Sequence, residues 1–339
     1  MHTALATTTG SRILSPSSLP DDLTVPQGEW DRIEGRAFGT HWRVDCVRTG
    51  GRRGLRTLER RIGETLEAID AQMSLWRADS DIVRFNRSRT GTRFLPRAPM
   101  QQVVARAVEI SLLTEGAFDP TMADAVDLWG FGARVVEDTL PSASAISAIA
   151  QGRSGSPDSI KEGDCLVRRP GRALDLCGIA KGYAVDAVMD IVRASLGMRA
   201  ALVEIGGELK GWGLKPDGMP WWVSVEGSAE PTLAALCGWA VATSGDYVRS
   251  FRQYGIDYCH TVDPKTLAPI RNGVASVTVF DPECWRADAL ATALMVMGAP
   301  RAMGFARQHD IPCLLTQRTG RVIAEAVSPA LRSWIQTDD

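Results

Sequence analysis

Apolar residues recur at three- and four-residue steps from Leu55 through Leu58, Ile62, Leu66 and Ile69 to Met73, a spacing that predicts a helix with one buried face. The pattern ends before Ser74-Leu75-Trp76-Arg77. A second helical pattern, Val103, Val104, Ala107, Ile110 and Leu113, stops at Gly116. Pro120 then turns Asp119 away from the helical region, so Asp119 is expected on a loop. From about 135 to 170 the chain is polar and rich in Gly, Ser and Pro, with one short helix opened by Ser142, and it reads as a surface excursion. Residues 173–179 read as a buried strand. Ala180, Tyr183, Ala184, Ala187, Val188, Ile191 and Val192 then adopt helical spacing, which places a strand-to-helix junction at Gly178. Short apolar runs at 201–205, 221–225, 239–243 and 274–280 predict further strands, and 287–297 is apolar nearly all round, as in a fully buried helix. Strands outnumber helices, and the fold class expected is α+β, with mixed or antiparallel sheets packed with helices. No internal repeat is present.

Composition narrows the partners. The 339 residues are 45% hydrophobic and 23% charged, enough for a large core in one domain or two lobes. Residues 1–30, rich in Ser, Thr and Pro with weak periodicity, are expected to form a flexible tail before a domain spanning 31–339. A net charge of −2 with scattered basic residues argues against nucleic acid. Seven single cysteines without a C-x-x-C pair fit a reduced, disulfide-free protein. The N-terminus lacks a basic region followed by an apolar run, and no segment reaches membrane-spanning length, so a cytoplasmic location is expected. His2, His41, His260 and His309 form no H-x-x-x-H pair, so a bound metal is expected to use oxygen ligands.

Three constellations could carry chemistry. At Asp175-Leu-Cys-Gly178-Ile-Ala-Lys181 a helix N-terminus offers free amides to an anion, and Lys181 in the first turn opposes the helix dipole unless something negative binds there. A solvated lysine is the plain alternative, and the spacing of a Walker loop is absent. Asp288 and Thr292 are four apart on an apolar helix, so two oxygen side chains share one face, an arrangement suited to magnesium completed by carbonyls, water and substrate phosphate. Asp288 as a first-turn residue and Thr292 bonded to a backbone carbonyl account for the pair equally well. His260 ends an apolar run before Asp263-Pro264, where a neutral imidazole can act as a base near pH 7 or serve a structural role. Gly206-Gly207 and Ser244-Gly245-Asp246 follow apolar runs, and such turns let backbone approach a ligand.

In order along the chain these stretches resemble the FAD:protein FMN transferases, the ApbE family of flavin transferases. The resemblance rests on Phe38-Gly-Thr-His-Trp, Met73 to Asn86, Gly116-Ala-Phe-Asp-Pro-Thr121, Leu174 to Tyr183, Ile205-Gly-Gly207, Ala242 to Tyr247, His260-Thr-Val-Asp-Pro and Glu283 to Gly298, and it covers roughly residues 33 to 320. It implies an ApbE-like, T-fold-like architecture. It also implies that the Gly178 carbonyl, Asp288 and Thr292 hold Mg2+. Phe38, Leu75, Trp76, Ala117, Phe118, Asp119, Asp175, Lys181 and the backbone near Val262 would line a pocket for FAD as substrate, and His260 would deprotonate the acceptor hydroxyl. The implied chemistry is attack of a threonine or serine hydroxyl of an acceptor protein on the FMN phosphorus, with AMP leaving.

Phe38 stands where the family more often has methionine, and Cys177 where it often has glycine, which bears on pocket shape. Many family members are exported, whereas this sequence predicts a cytoplasmic acceptor. Two rivals share the pocket: an FAD hydrolase giving FMN and AMP, and a non-catalytic FAD-binding protein. A flavin oxidoreductase fits less well, because no G-x-G-x-x-G follows a strand.

Overall fold

The computed structural model describes residues 12–16, 23–50, 53–133, 140–153, 155–247, 249–320 and 322–336. Among them, eight strands build the main sheet in the order Val322–Val327, Cys313–Thr319, Val274–Asp281, Ala240–Gly245, Glu208–Trp212, Met198–Ile205, Thr40–Arg48 and Glu29–Ala37. Every neighbouring pair is antiparallel. The central strands are apolar on both faces because both are covered. Along Met198–Ile205, Ala201, Val203 and Ile205 join the core under the helices, while Ala200 and Leu202 join a second core on the opposite face. Helices Arg53–Met73, Ala98–Leu113, Ala180–Arg193 and Cys284–Met297 cover the first face. The α+β class with antiparallel sheets is therefore what the chain adopts.

A three-stranded sheet, Arg12–Leu14, Thr232–Leu236 and Trp221–Ser224, contributes to the second core. Its first strand corrects the expectation of a flexible tail over 1–30. Arg12–Leu14 pairs in parallel with Thr232–Leu236, Leu14 is fully buried, and Arg12 forms an ion pair with Glu325. A buried leucine and a paired arginine hold a segment whose composition alone reads as tail. Residues 1–11 and 17–22 of that stretch lie outside the described residues.

The stretch 173–179 also departs from expectation: Ala173, Leu174, Leu176 and Ile179 are buried, but the stretch joins no sheet. Its backbone groups are met instead by side chains and a loop. The Asn86 amide accepts from Leu174 N at 2.7 Å and donates to Leu174 O at 2.8 Å, and Asp175 N donates to Pro120 O at 2.8 Å. Helix Ala180–Arg193 then begins as predicted. Within the polar stretch 135–170, Ser142 Oγ accepts from Ala145 N at 3.2 Å to open helix Ala143–Gly152, as expected, and the next residue, Arg153, turns inward. Residues 134–139 lie outside the described residues.

Candidate active site

Two helix N-termini meet at the site. Ala180–Arg193 starts just after Gly178, and Asp288 Oδ2 on Cys284–Met297 accepts from Gly182 N at 3.0 Å. Thr292, one turn on, has its Oγ1 3.1 Å from Ser244 Oγ, and a Cβ at position 178 would lie only 3.0 Å from that same Oγ1. Thr292 therefore closes on Gly178 across a narrow gap, with Asp288 one turn before it on the same helix.

A cleft of about 290 Å³ opens here. Leu75, Trp76, Ala117, Phe118, Asp119, Asp175, Gly178, Lys181, His260, Val262, Asp288 and Thr292 all line it. Phe38 lies instead in an adjoining pocket of about 170 Å³, whose walls include Trp76, Cys177 and Lys181. Phe38 and Gly39 form the two-residue turn between Glu29–Ala37 and Thr40–Arg48, both with positive φ (53° and 71°). A bulky residue in that region is strained, and here the strained residue borders a pocket.

Lys181 is paired with Glu208, whose side chain is only 3% exposed. Burial works against the ammonium, but Glu208 and Asp288 outweigh it, so the lysine pKa is raised and its charge is kept. Burial pushes Glu208 up to about 7 and raises Asp288 as well, each against the pull of Lys181. Glu208 Oε2 is buried with no hydrogen-bond partner. One ammonium thus faces two buried carboxylates. Among the described residues no group of three or more His, Cys, Asp or Glu could hold a metal; the oxygen-bearing side chains lining the cleft here include Asp288, Thr292 and Glu208, beside the backbone of Gly178.

His260 follows the strand Ile256–Cys259, which is held over Trp129 and Phe131 by an aromatic stack. Trp129 to Tyr258, Tyr258 to Phe251 and Phe251 to Phe131 have ring centroids 5.6, 5.1 and 5.3 Å apart. His260 Nδ1 lies 3.3 Å from the Arg249 carbonyl, which can only accept, so the neutral ring carries its proton on Nδ1 and leaves the Nε2 lone pair free. Burial lowers the His260 pKa, with the Arg249 carbonyl opposing. At the mouth the Arg249 guanidinium sits 5.9 Å over the ring of Trp76, which is 58% exposed.

Asp119, on the cleft wall, is committed to partners of its own. Its Oδ1 accepts from Thr121 N at 2.8 Å and Thr121 Oγ1 at 2.6 Å, Oδ2 pairs with Arg153, and Arg172 stands 3.8 Å away. Asp175 likewise accepts from Cys177 N at 2.9 Å, shaping the turn into Gly178. Sequence reasoning missed Glu208 and Arg153. Glu208 directly follows Gly206-Gly207, so its signal was the residue after a turn already suspected of approaching a ligand; Arg153 left no trace in the periodicity.

The ApbE family model matches residues 38–315. The chain belongs to the ApbE family. Two relatives named FAD:protein FMN transferase support this membership at the level of sequence. That of Vibrio cholerae is 37% identical over 309 residues, covering 89% of this chain and 92% of the relative. That of Haemophilus influenzae is 31% identical over 323 residues, covering 91% and 92%. The crystal structure of the Pseudomonas stutzeri flavinyl transferase ApbE in its apo form superimposes with a TM-score of 0.84 at 35% identity, covering 94% of this chain and all of that one. That relative thus shares the fold over nearly the whole chain. No helix among the described residues is long and apolar enough to cross a membrane.

Proposed function

We propose that this chain transfers the FMN half of FAD to a threonine or serine hydroxyl of an acceptor protein, with magnesium, releasing AMP. The observation that carries the reading is the convergence on one cleft of Lys181, Asp288, Thr292, Gly178 and His260, beside the exposed ring of Trp76. The donor set fits a hard cation. Glu208 Oε2 lacks a partner, the buried carboxylates of Glu208 and Asp288 share one ammonium, and Thr292 Oγ1 stands only 3.0 Å from where a Cβ on Gly178 would lie. Asp288, Thr292 and the Gly178 carbonyl would hold magnesium, which when bound withdraws charge from a phosphoryl oxygen.

The chain's own residues do the rest. Trp76 offers a face for the flavin ring, with Phe118 beside Gly178. Lys181, kept charged by its carboxylates, and the amides at the start of Ala180–Arg193 neutralise the pyrophosphate. His260 Nε2 takes the proton of the incoming hydroxyl as its oxygen bonds to the FMN phosphorus. The bond from that phosphorus to the bridging oxygen breaks, and its electron pair leaves on AMP.

Incubation with FAD, Mg2+ and candidate acceptors from the same organism, read by mass spectrometry, tests this. The expected result is an acceptor carrying FMN in phosphoester linkage, with AMP in equal amount. FMN and AMP formed with no modified acceptor would replace transfer with hydrolysis, and FAD bound without turnover would leave only a binding protein.

A further inference from the structure

At the junction behind the cleft each of two helices caps the other. Asp186, on Ala180–Arg193, accepts from Cys284 N at 3.1 Å and Trp285 N at 2.9 Å, the first two amides of Cys284–Met297. Asp288, on Cys284–Met297, accepts from Gly182 N in the first turn of Ala180–Arg193. Neither helix has a side-chain cap of its own at Ile179 or Glu283, so these amides depend on the cross-helix carboxylates. The contact is close. A Cβ at Gly182 would sit 2.4 Å from the Cys284 carbonyl oxygen and 2.7 Å from Trp285 Cα, both backbone atoms that cannot swing aside. Asp186 is buried, and Lys210 Nζ, 2.6 Å away, offsets its charge.

We infer that Asp186 is a positioning residue for the metal site: it sets the register between the two helices so that Asp288 and Thr292 face the Gly178 carbonyl. The inference rests on the magnesium-dependent transfer proposed above. Gly178 precedes one helix while Asp288 and Thr292 ride on the other, so their spacing is the spacing of the helices. Thr292 stands one Cβ contact from Gly178, which leaves little room for a slip. Leu75 and Trp76 follow helix Arg53–Met73 and ride on neither of these two helices. Loosening it therefore weakens the metal site and spares the flavin end.

Asp186→Asn and Gly182→Ala, made in the full chain, test this from opposite sides of the contact; the second leaves every charge in place. Four quantities are read: the magnesium concentration for half-maximal turnover, FAD affinity in EDTA from flavin fluorescence, amide exchange over 284–288, and the thermal midpoint. For Asp186→Asn the magnesium requirement should rise about 10- to 100-fold, the usual effect of removing an outer partner of a metal site. Metal-free FAD affinity should stay within about twofold, and the Cys284 and Trp285 amides should exchange faster once their acceptor is weakened. Gly182→Ala should show the same raised magnesium requirement. An unchanged magnesium requirement, or loss of magnesium and metal-free FAD binding in equal proportion, would overturn the role of Asp186. A parental enzyme indifferent to magnesium is a separate result, which overturns the proposed function instead.

Discussion

His260 and Asp119 line the same cleft and are expected to fail in different ways when replaced. Burial favours the neutral imidazole, so His260 should remain a competent base below the ordinary histidine pKa of about 6.5. The sign follows directly: a depressed pKa moves the loss of base to lower pH. The acid limb of single-turnover transfer should therefore have its midpoint below about pH 6.5, and His260→Ala should abolish that limb. The same substitution should slow transfer by about 10² to 10⁴ while FAD affinity stays near parental. A mutant with the parental rate would remove His260 from the chemistry. Asp119, by contrast, is committed to Thr121, Arg153 and Arg172. Asp119→Ala leaves two largely buried guanidinium groups without their carboxylate, and should cost about 3–5 kcal/mol of stability by urea unfolding, with FAD affinity falling alongside. Unchanged stability would show that Asp119 acts on the ligand alone.

The stretch 173–179 shows where reading elements from periodicity stops. Its apolar run marked it correctly as largely interior, but the same pattern serves a strand in a ladder and an extended segment clamped by side chains. What decides is Asn86, 88 residues away, and no local pattern announces it. The helices Arg53–Met73, Ala180–Arg193 and Cys284–Met297 were legible because their apolar spacing is set by the core they face. The candidate site was legible for a related reason: Asp288 and Thr292 lie one turn apart, and Lys181 announces itself by opposing the helix dipole. Glu208 and Arg153 were not, since each enters the site by a long-range ion pair. Asn86→Ala should expose the clamp. It leaves the amide and carbonyl of buried Leu174 unmet, at about 1–3 kcal/mol for each group, and slackens the segment that ends at Gly178. A lower urea midpoint with a raised magnesium requirement is expected; a mutant as stable as the parent would show that water replaces the clamp.

Taken as layers, the four long helices stand on one face of the main sheet and the small sheet Arg12–Leu14, Thr232–Leu236 and Trp221–Ser224 packs on the other. The cleft is lined by the helical side, by loops and by the main-sheet strands Glu208–Trp212 and Ala240–Gly245, and none of its lining residues belongs to the small sheet. Stability and chemistry are therefore separable across the molecule. Leu14 tests the division, because it is fully buried in the second core, remote in sequence from every cleft residue, and held by the one parallel strand pair of the small sheet. Leu14→Ala should cost about 2–5 kcal/mol through lost burial and the cavity left behind. The thermal midpoint should fall by several degrees, while FAD affinity, magnesium requirement and transfer rate, all measured well below that midpoint, should match the parent. If transfer falls in step with stability at temperatures where the mutant is fully folded, the second core reaches the cleft through the sheet, and the separation of layers does not hold.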